Sequence, residues 1–543
     1  MYCENCGNQI KDGALFCNKC GTKVDYSEDE SVVQEQHSQQ HTLESNSSVY
    51  VEVQKKRKVW PIWIGVITGV VVIAAVIAFF LIFNGQKTAD NFMFLEDQLT
   101  IYNSKDFDGK SYELNLLDKN GEVHSISSEV NGLFWMSMDR QSMLAYNENE
   151  VVYYNHGQFM PCDKHSFAWV SMSPDGSSVF AAENNDDGQS YLYKYPFNPE
   201  DVIFSAPRID SLTSSVSGKY ICVTVEESKD NYVHYLINTE TGESEKINEN
   251  LYWVTSVSET GKTVYCYCEN GLSIYKDGKL EQLSDDPSTG QIGKYFNYDS
   301  TQLFFVANNK TYLFDETNGL RQICDSWTYV LLPEYIQHYS MAADSWDHTY
   351  GIRDFRDLFL VEERDNQITG AVYYLDSDLT CNEVTHNVKR SKVSNDGKTL
   401  VYLSSDGIVY STKIGSKDSQ GKIMVNPEEI GEAKSFVVSP DCRKVFLLQD
   451  NGDLYHNGIL IDTGIDDTSF YGGVFSDNYL IYLKNGQAYV TDGGKPNQIT
   501  NSNDGWVKSA YAGLYYPVFY QETNGVTTQM AYIGNKTIEL DKY

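Results

Sequence analysis

Phe436-Val437-Val438-Ser439-Pro440-Asp441-Cys442-Arg443-Lys444-Val445-Phe446-Leu447-Leu448-Gln449-Asp450-Asn451-Gly452-Asp453-Leu454-Tyr455-His456-Asn457-Gly458-Ile459-Leu460-Ile461 decides the fold. Its apolar runs, Phe436 to Val438, Val445 to Leu448, Leu454-Tyr455 and Ile459 to Ile461, are each too short for a helix. Between them stand Pro440-Asp441, Asn451-Gly452 and Asn457-Gly458, residues that preset φ or accept the left-handed conformation of a tight turn. The stretch therefore predicts four short strands joined by turns.

The pattern recurs on both sides. Ser173-Pro174-Asp175-Gly176 precedes Val179-Phe180, Ser394-Asn395-Asp396-Gly397 precedes Leu400 to Leu403, and weaker copies begin at Ser217, Ser258 and Ser476. One strand later a tyrosine falls at Tyr112, Tyr153, Tyr193, Tyr235, Tyr275, Tyr312, Tyr373, Tyr410, Tyr455, Tyr489 and Tyr532, about 42 residues apart. A four-stranded unit of that period is a β-propeller blade. The Ser-Pro-Asp-Gly turn is similar to the TolB-like, WD-like propeller repeats of bacterial envelope proteins. That resemblance spans most of residues 93–543 and implies an all-β propeller. About eleven units exceed the usual four to eight blades of one ring. Two tandem rings are the preferred expectation, with one large ring carrying a loop insertion as the alternative. The period breaks once, between Tyr312 and Tyr373, which puts a possible joint near 325–365.

The whole chain has 543 residues, with 42 Lys and Arg against 75 Asp and Glu, a formal net charge of −33. Such acidity argues against nucleic acid as a partner. The 41% hydrophobic content is enough to bury real cores.

The eleven cysteines form two populations. Cys3-Glu4-Asn5-Cys6 and Cys17-Asn18-Lys19-Cys20 are matched C-x-x-C pairs, each followed by glycine, Gly7 and Gly21. Four thiolates complete a tetrahedral shell around Zn(II), and a two-residue spacer lets one tight turn present both sulfurs of a pair. So short a segment would take most of its folding free energy from the metal. Residues 1–24 resemble the short zinc ribbon at the N-termini of many bacterial membrane proteins. The resemblance implies a structural zinc and a protein-contact role in the cytoplasm. The seven later cysteines, Cys162, Cys222, Cys266, Cys268, Cys324, Cys381 and Cys442, are expected to be mainly small buried core residues rather than disulfides.

Residues 25–58 read as a disordered cytoplasmic tether, rich in Ser, Gln, Glu and His and ending in Lys55-Lys56-Arg57-Lys58. His37 and His41 in this tether are read as solvated. Val59 to Phe83 then runs uncharged for 25 residues, long enough as a helix, about 37 Å, to cross a bilayer. The basic flank places the N-terminus in the cytoplasm and residues 89–543 outside the cell. Within the span, Gly65 and Gly69 form a G-x-x-x-G on which a homodimer could close.

Two places outside the ribbon carry candidate chemistry. The irregular stretch around the broken period holds His338, Asp344, Trp346, Asp347, His348, Arg353, Asp354 and Asp357. Asn184-Asn185-Asp186-Asp187-Gly188 resembles part of a calcium loop but lacks the distal glutamate, so a hairpin turn is the better reading. The chain has no nucleophile elbow, phosphate loop or H-E-x-x-H. The expected function is a single-pass membrane-anchored binding, sensing or scaffolding protein of the cell envelope. Its propeller would take a protein or cell-envelope ligand, with a cationic group favoured by the charge. The alternative is an envelope hydrolase using carboxylates or the irregular loop.

Overall fold

The computed structural model describes residues 100–542, apart from short internal stretches of which 104–111, 287–294, 334–351 and 467–474 are the longest. The ribbon, the tether and the apolar span of residues 59–83 lie outside the described residues. Among the described residues no helix is long and apolar enough to cross a membrane.

Strands join into sheets because every apolar run is followed by a turn that reverses it. Among the described residues, 44 strands make eleven antiparallel sheets, numbered here 1 to 11 along the chain. Nine are four-stranded meanders, sheet 1 has three strands, and sheet 8 has a fifth strand that shares a partner. The quoted stretch is sheet 9, with strands Ser435–Val438, Val445–Leu448, Leu454–His456 and Ile459–Asp462. The eleven period-setting tyrosines fall one to a sheet, on its third strand in the ten sheets that have four or more.

Burial explains why the second strands read as unbroken apolar runs rather than alternating ones. In sheet 8, Val401 and Leu403 pack on sheet 9 while Leu400 and Tyr402 pack on sheet 7. Both faces are covered, so neither can be polar. Each successive pair from sheet 2 to sheet 11 shares an apolar cluster of this kind. The first and last sheets also meet, along Thr100–Asn103 and Lys536–Lys542.

The sequence places a possible joint near 325–365, and there the apolar core is continuous. Phe304, Leu313 and Ile323 of sheet 6 pack with Ile352, Phe355, Leu358 and Leu375 in and around sheet 7. The described residues fall within one compact unit. The cysteine expectation holds for Cys222, Cys266 and Cys442, which are buried and not disulfide-bonded, and fails for one pair at the same place: Cys324 and Cys381 form a disulfide, with Cα atoms 5.9 Å apart. They end and begin the outer strands of sheets 6 and 7, Gly319–Cys324 and Cys381–His386, which are distant in sequence and adjacent only once the sheets stack.

Candidate functional site

A meander gives each sheet two chemically different ends. At one end lie the turns between first and second strands, where the Ser-x-Asp motif sits. At the other lie the hairpins between second and third strands and the links from one sheet to the next.

The motif end is occupied by its own hydrogen bonds. In sheet 3 the Ser173 N–H donates to Ser178 O, and Ser178 N–H donates back to Ser173 Oγ (2.9 Å). Ser173 Oγ donates to Asp175 Oδ1 (2.8 Å), which also accepts Ser177 N–H (2.9 Å). The same clasp closes at Ser394 and Ser439. It also closes at Ser137, Ser215, Ser258 and Asn297, of which the sequence reading above names only Ser258, although Ser137-Met138-Asp139 carries the same Ser-x-Asp pattern. In sheet 4 it opens at Ser215, two residues before the Ser217 that the motif suggests, because Ser217 occupies the aspartate position. Asn297 went unseen because a carboxamide replaces the hydroxyl.

These turns also hold the sheets together. Met138 N–H donates to Pro174 O (2.8 Å), Asp175 N–H to Val216 O (3.1 Å), Glu259 N–H to Asp299 O (2.8 Å), and Asn395 N–H to Pro440 O (2.7 Å). Between sheets 4 and 5 a side chain makes the link, Glu259 accepting Ser217 N–H at 3.0 Å. Glu316, nearly buried, accepts the hydroxyls of Ser258, Thr260 and Thr263. The acids of this end are therefore largely engaged in architecture.

Of the irregular stretch, His338, Asp344, Trp346, Asp347 and His348 lie outside the described residues. Arg353 O accepts the Asn297 carboxamide (3.2 Å), while Asp354 pairs with Arg356 (2.7 Å). Asp357 accepts the Tyr374 hydroxyl at 3.2 Å. Burial, together with the charges of Asp376 and Asp354, holds the Asp357 carboxyl above its ordinary range. Burial also works against the charge of Asp376, but the N–H groups of Thr380 and Asp378 and the Lys417 ammonium (2.9 Å) outweigh it and lower its pKa. Two carboxyls are thus pushed in opposite directions, Asp357 up chiefly by burial and Asp376 down by its hydrogen bonds and Lys417 from sheet 8.

In the stretch from Asn184 to Gly188, Asn185 N–H donates to Gln189 O and Gly188 N–H to Asn185 O, while Asp186 and Asp187 lie outside the described residues. Among the described residues no group of three or more His, Cys, Asp or Glu side chains is arranged to hold a metal ion. Cys222 and Cys266 are buried where sheets 4 and 5 meet, and burial pushes the Cys222 thiol up to about 12. Such thiols stay protonated and quiet.

The hairpin end carries an open cleft of about 340 Å³ between sheets 8 and 9, lined by Asp406, Glu432, Lys434, Gln449 and Asp450 among others. Sequence reasoning did not find it, because its walls come from two hairpins and one link some forty residues apart.

The expected zinc ligands Cys3, Cys6, Cys17 and Cys20 lie outside the described residues. A family model of the zinc-ribbon domain matches residues 2–24, a span containing all four. The donor set fits Zn(II): four soft thiolates fill a tetrahedral shell and leave no position for water or substrate, so the metal would be structural.

No curated protein matches the chain. It is similar to a solved structure titled as a eukaryotic initiation factor, with TM-score 0.36 and 12% identity over 63% of this chain and 90% of that one. It is also similar to a putative TolB from Agrobacterium tumefaciens, with TM-score 0.24 and 14% identity over 37% of this chain and 83% of that one. Neither likeness is close enough to bear on function.

Proposed function

We propose that the chain is a single-pass membrane-anchored binding protein. The zinc ribbon makes protein contacts in the cytoplasm, Val59 to Phe83 spans the bilayer, and residues 89–543 present a propeller-type stack of sheets to a protein or cell-envelope ligand outside.

The observation that carries this reading is the contrast between the two cysteine chemistries. Cys324 and Cys381 are joined as a disulfide, a bond that persists in oxidising compartments. Cys3, Cys6, Cys17 and Cys20 must remain thiolates to hold zinc, which suits a reducing one. Between them lies the uncharged span with Lys55 to Lys58 on its N-terminal flank, the arrangement that retains a positive end in the cytoplasm. Stacked sheets suit recognition, because loops at both ends are carried on a packed scaffold.

Protease added to intact cells expressing the full chain is expected to remove the sheet domain and spare an N-terminal tag. Non-reducing mass spectrometry of the released fragments should recover the Cys324–Cys381 linked peptide. Digestion of the tag with retention of the sheet domain would overturn the topology.

A further inference from the structure

Three thiols meet at the seam of sheets 4 and 5. The second strand of sheet 5, Thr263–Cys268, alternates: Tyr265 and Tyr267 pack toward sheet 6, while Val264, Cys266 and Cys268 pack toward sheet 4. Cys222, on the second strand of sheet 4, Tyr220–Ser228, enters the same apolar cluster from the other side. Cys266 Sγ and Cys268 Sγ stand 4.0 Å apart. Cys266 is fully buried, whereas Cys268, the last residue of its strand, is half-buried next to the exposed Glu269 at the hairpin end.

The same domain closes a disulfide elsewhere, so two thiols left side by side need a physical reason. Cys324 and Cys381 reach each other from two sheets, with Cα atoms 5.9 Å apart. Residues two apart on one extended strand are held about 6.8 Å apart, the outer limit of what a disulfide spans. Ladder pairing of Cys266 with Val254 and Ser273, and of Cys268 with Gly271, resists the bend that would shorten that distance. A bridging ion needs no such bend. Metal–thiolate bonds of about 2.3 Å place two sulfurs of one ion at most about 4.6 Å apart, and these stand at 4.0 Å. The surroundings select the ion. Among the described residues no third His, Cys, Asp or Glu is arranged to complete a larger shell, Cys222 included, so Zn(II) with its four ligands is not served. Cu(I) is soft, prefers thiolates and is satisfied by two of them.

We propose that Cys266 and Cys268 form a binding site for one soft, two-coordinate cation of the Cu(I) class. The proposal goes beyond the binding reading above and stands on the geometry of the sheet domain, whichever side of a membrane that domain faces. The Cys268 contact and burial hold the Cys266 thiol protonated until a metal arrives. The cation displaces both protons to water, leaving two thiolates on one ion with no change of oxidation state. It enters past Cys268, while Val254, Val264 and Tyr275 wall off Cys266 from water and harder ligands.

The test offers Cu(I), buffered by bathocuproine disulfonate without oxygen, to the full-length protein loaded with zinc so that the ribbon thiolates are engaged. Cys268→Ser and Cys266→Ala are each expected to bind about one Cu(I) fewer per chain than the parent. Cys442→Ala, which changes a buried thiol between sheets 8 and 9, should bind as much as the parent. Any displacement of ribbon zinc is common to all of these proteins and cancels from the comparison. Unfolding midpoints check that each variant is folded, and Cys268→Ser, at a half-buried position, carries the test if Cys266→Ala is not. Equal copper in the parent and Cys268→Ser would overturn the site. Zn(II) uptake that falls by the same amount in Cys268→Ser would overturn the two-coordinate soft ion. A Cys266–Cys268 disulfide recovered from native protein by non-reducing mass spectrometry would overturn the strand argument and the site with it. Each of these results leaves the binding reading in place.

Discussion

Gly176, Gly218 and Gly261 take the fourth place of their turns with φ of 74°, 71° and 70°, a conformation in which a Cβ meets the following carbonyl. Ser300 and Cys442 hold the same place with φ of 53° and 56°, so the dihedral alone does not demand glycine. The close approach of the preceding sheet does. A Cβ on Gly218 would stand 2.8 Å from Ser178 Cβ and 2.9 Å from the Phe180 ring. Gly218→Ala is expected to lower stability by about 1–3 kcal/mol in urea unfolding. Gly278→Ala, whose Cβ meets nothing within 4 Å, should cost less, since only the dihedral penalty applies. Equal losses would refute the steric account. Asp357 gives a pH-dependent case. Its folded pKa is raised above that of the unfolded carboxyl, so ionisation is penalised in the fold and stability falls as pH rises through that interval. Asp357→Asn, which can still accept the Tyr374 hydroxyl and tolerates a φ of 52°, should melt higher than the parent at pH 7. The difference should vanish below the ordinary carboxyl pKa of about 3.9. A gain that persists in acid would point to some other cause.

Strands and turns were largely legible, because the quoted stretch contains its whole explanation: apolar runs of strand length punctuated by residues that turn. Sheet 9 follows that reading strand for strand. What escaped were the clasp at Asn297, where only the hydrogen bond from the i+5 amide reveals that a carboxamide does the work of a hydroxyl, and the clasp at Ser215, where Ser217 stands in the aspartate position. The disulfide escaped for a different reason. Cys324 and Cys381 are 57 residues apart, and their spacing carries no signal until sheets 6 and 7 lie side by side. Replacing either by serine removes a constraint on the unfolded chain and should cost about 2–4 kcal/mol. The loss should appear as a lowered unfolding midpoint relative to the oxidised parent and disappear when the parent is fully reduced. An unchanged midpoint would show that the apolar cluster around Phe304 and Phe355 holds the two sheets without it.

At the scale of the whole molecule, acidity dominates: residues 89–543 carry 34 Lys and Arg against 66 Asp and Glu. Crowding so much like charge on a folded body opposes compaction. Raising salt from about 10 mM to 0.15 M shortens the screening length from roughly 30 to 8 Å and should raise the melting temperature. A flat or falling melting temperature would mean that ion pairs such as Lys484–Asp462 (2.6 Å) offset the repulsion. The sequence by itself determined the class of structure, because strand length, turn chemistry and a recurring tyrosine are local properties written within about 42 residues. It also determined the candidate zinc ligands, whose two-residue spacing is local too. Only tertiary structure decided which sheets pack together and which cysteines meet, Cys324 and Cys381 coming from neighbouring sheets. Asp175 accepts from Ser173 and Ser177 within its own turn, whereas Glu259 reaches Ser217 and Glu316 reaches Ser258 only because the sheets stack. His234 likewise meets Leu251 O only because the link into sheet 5 lies against sheet 4.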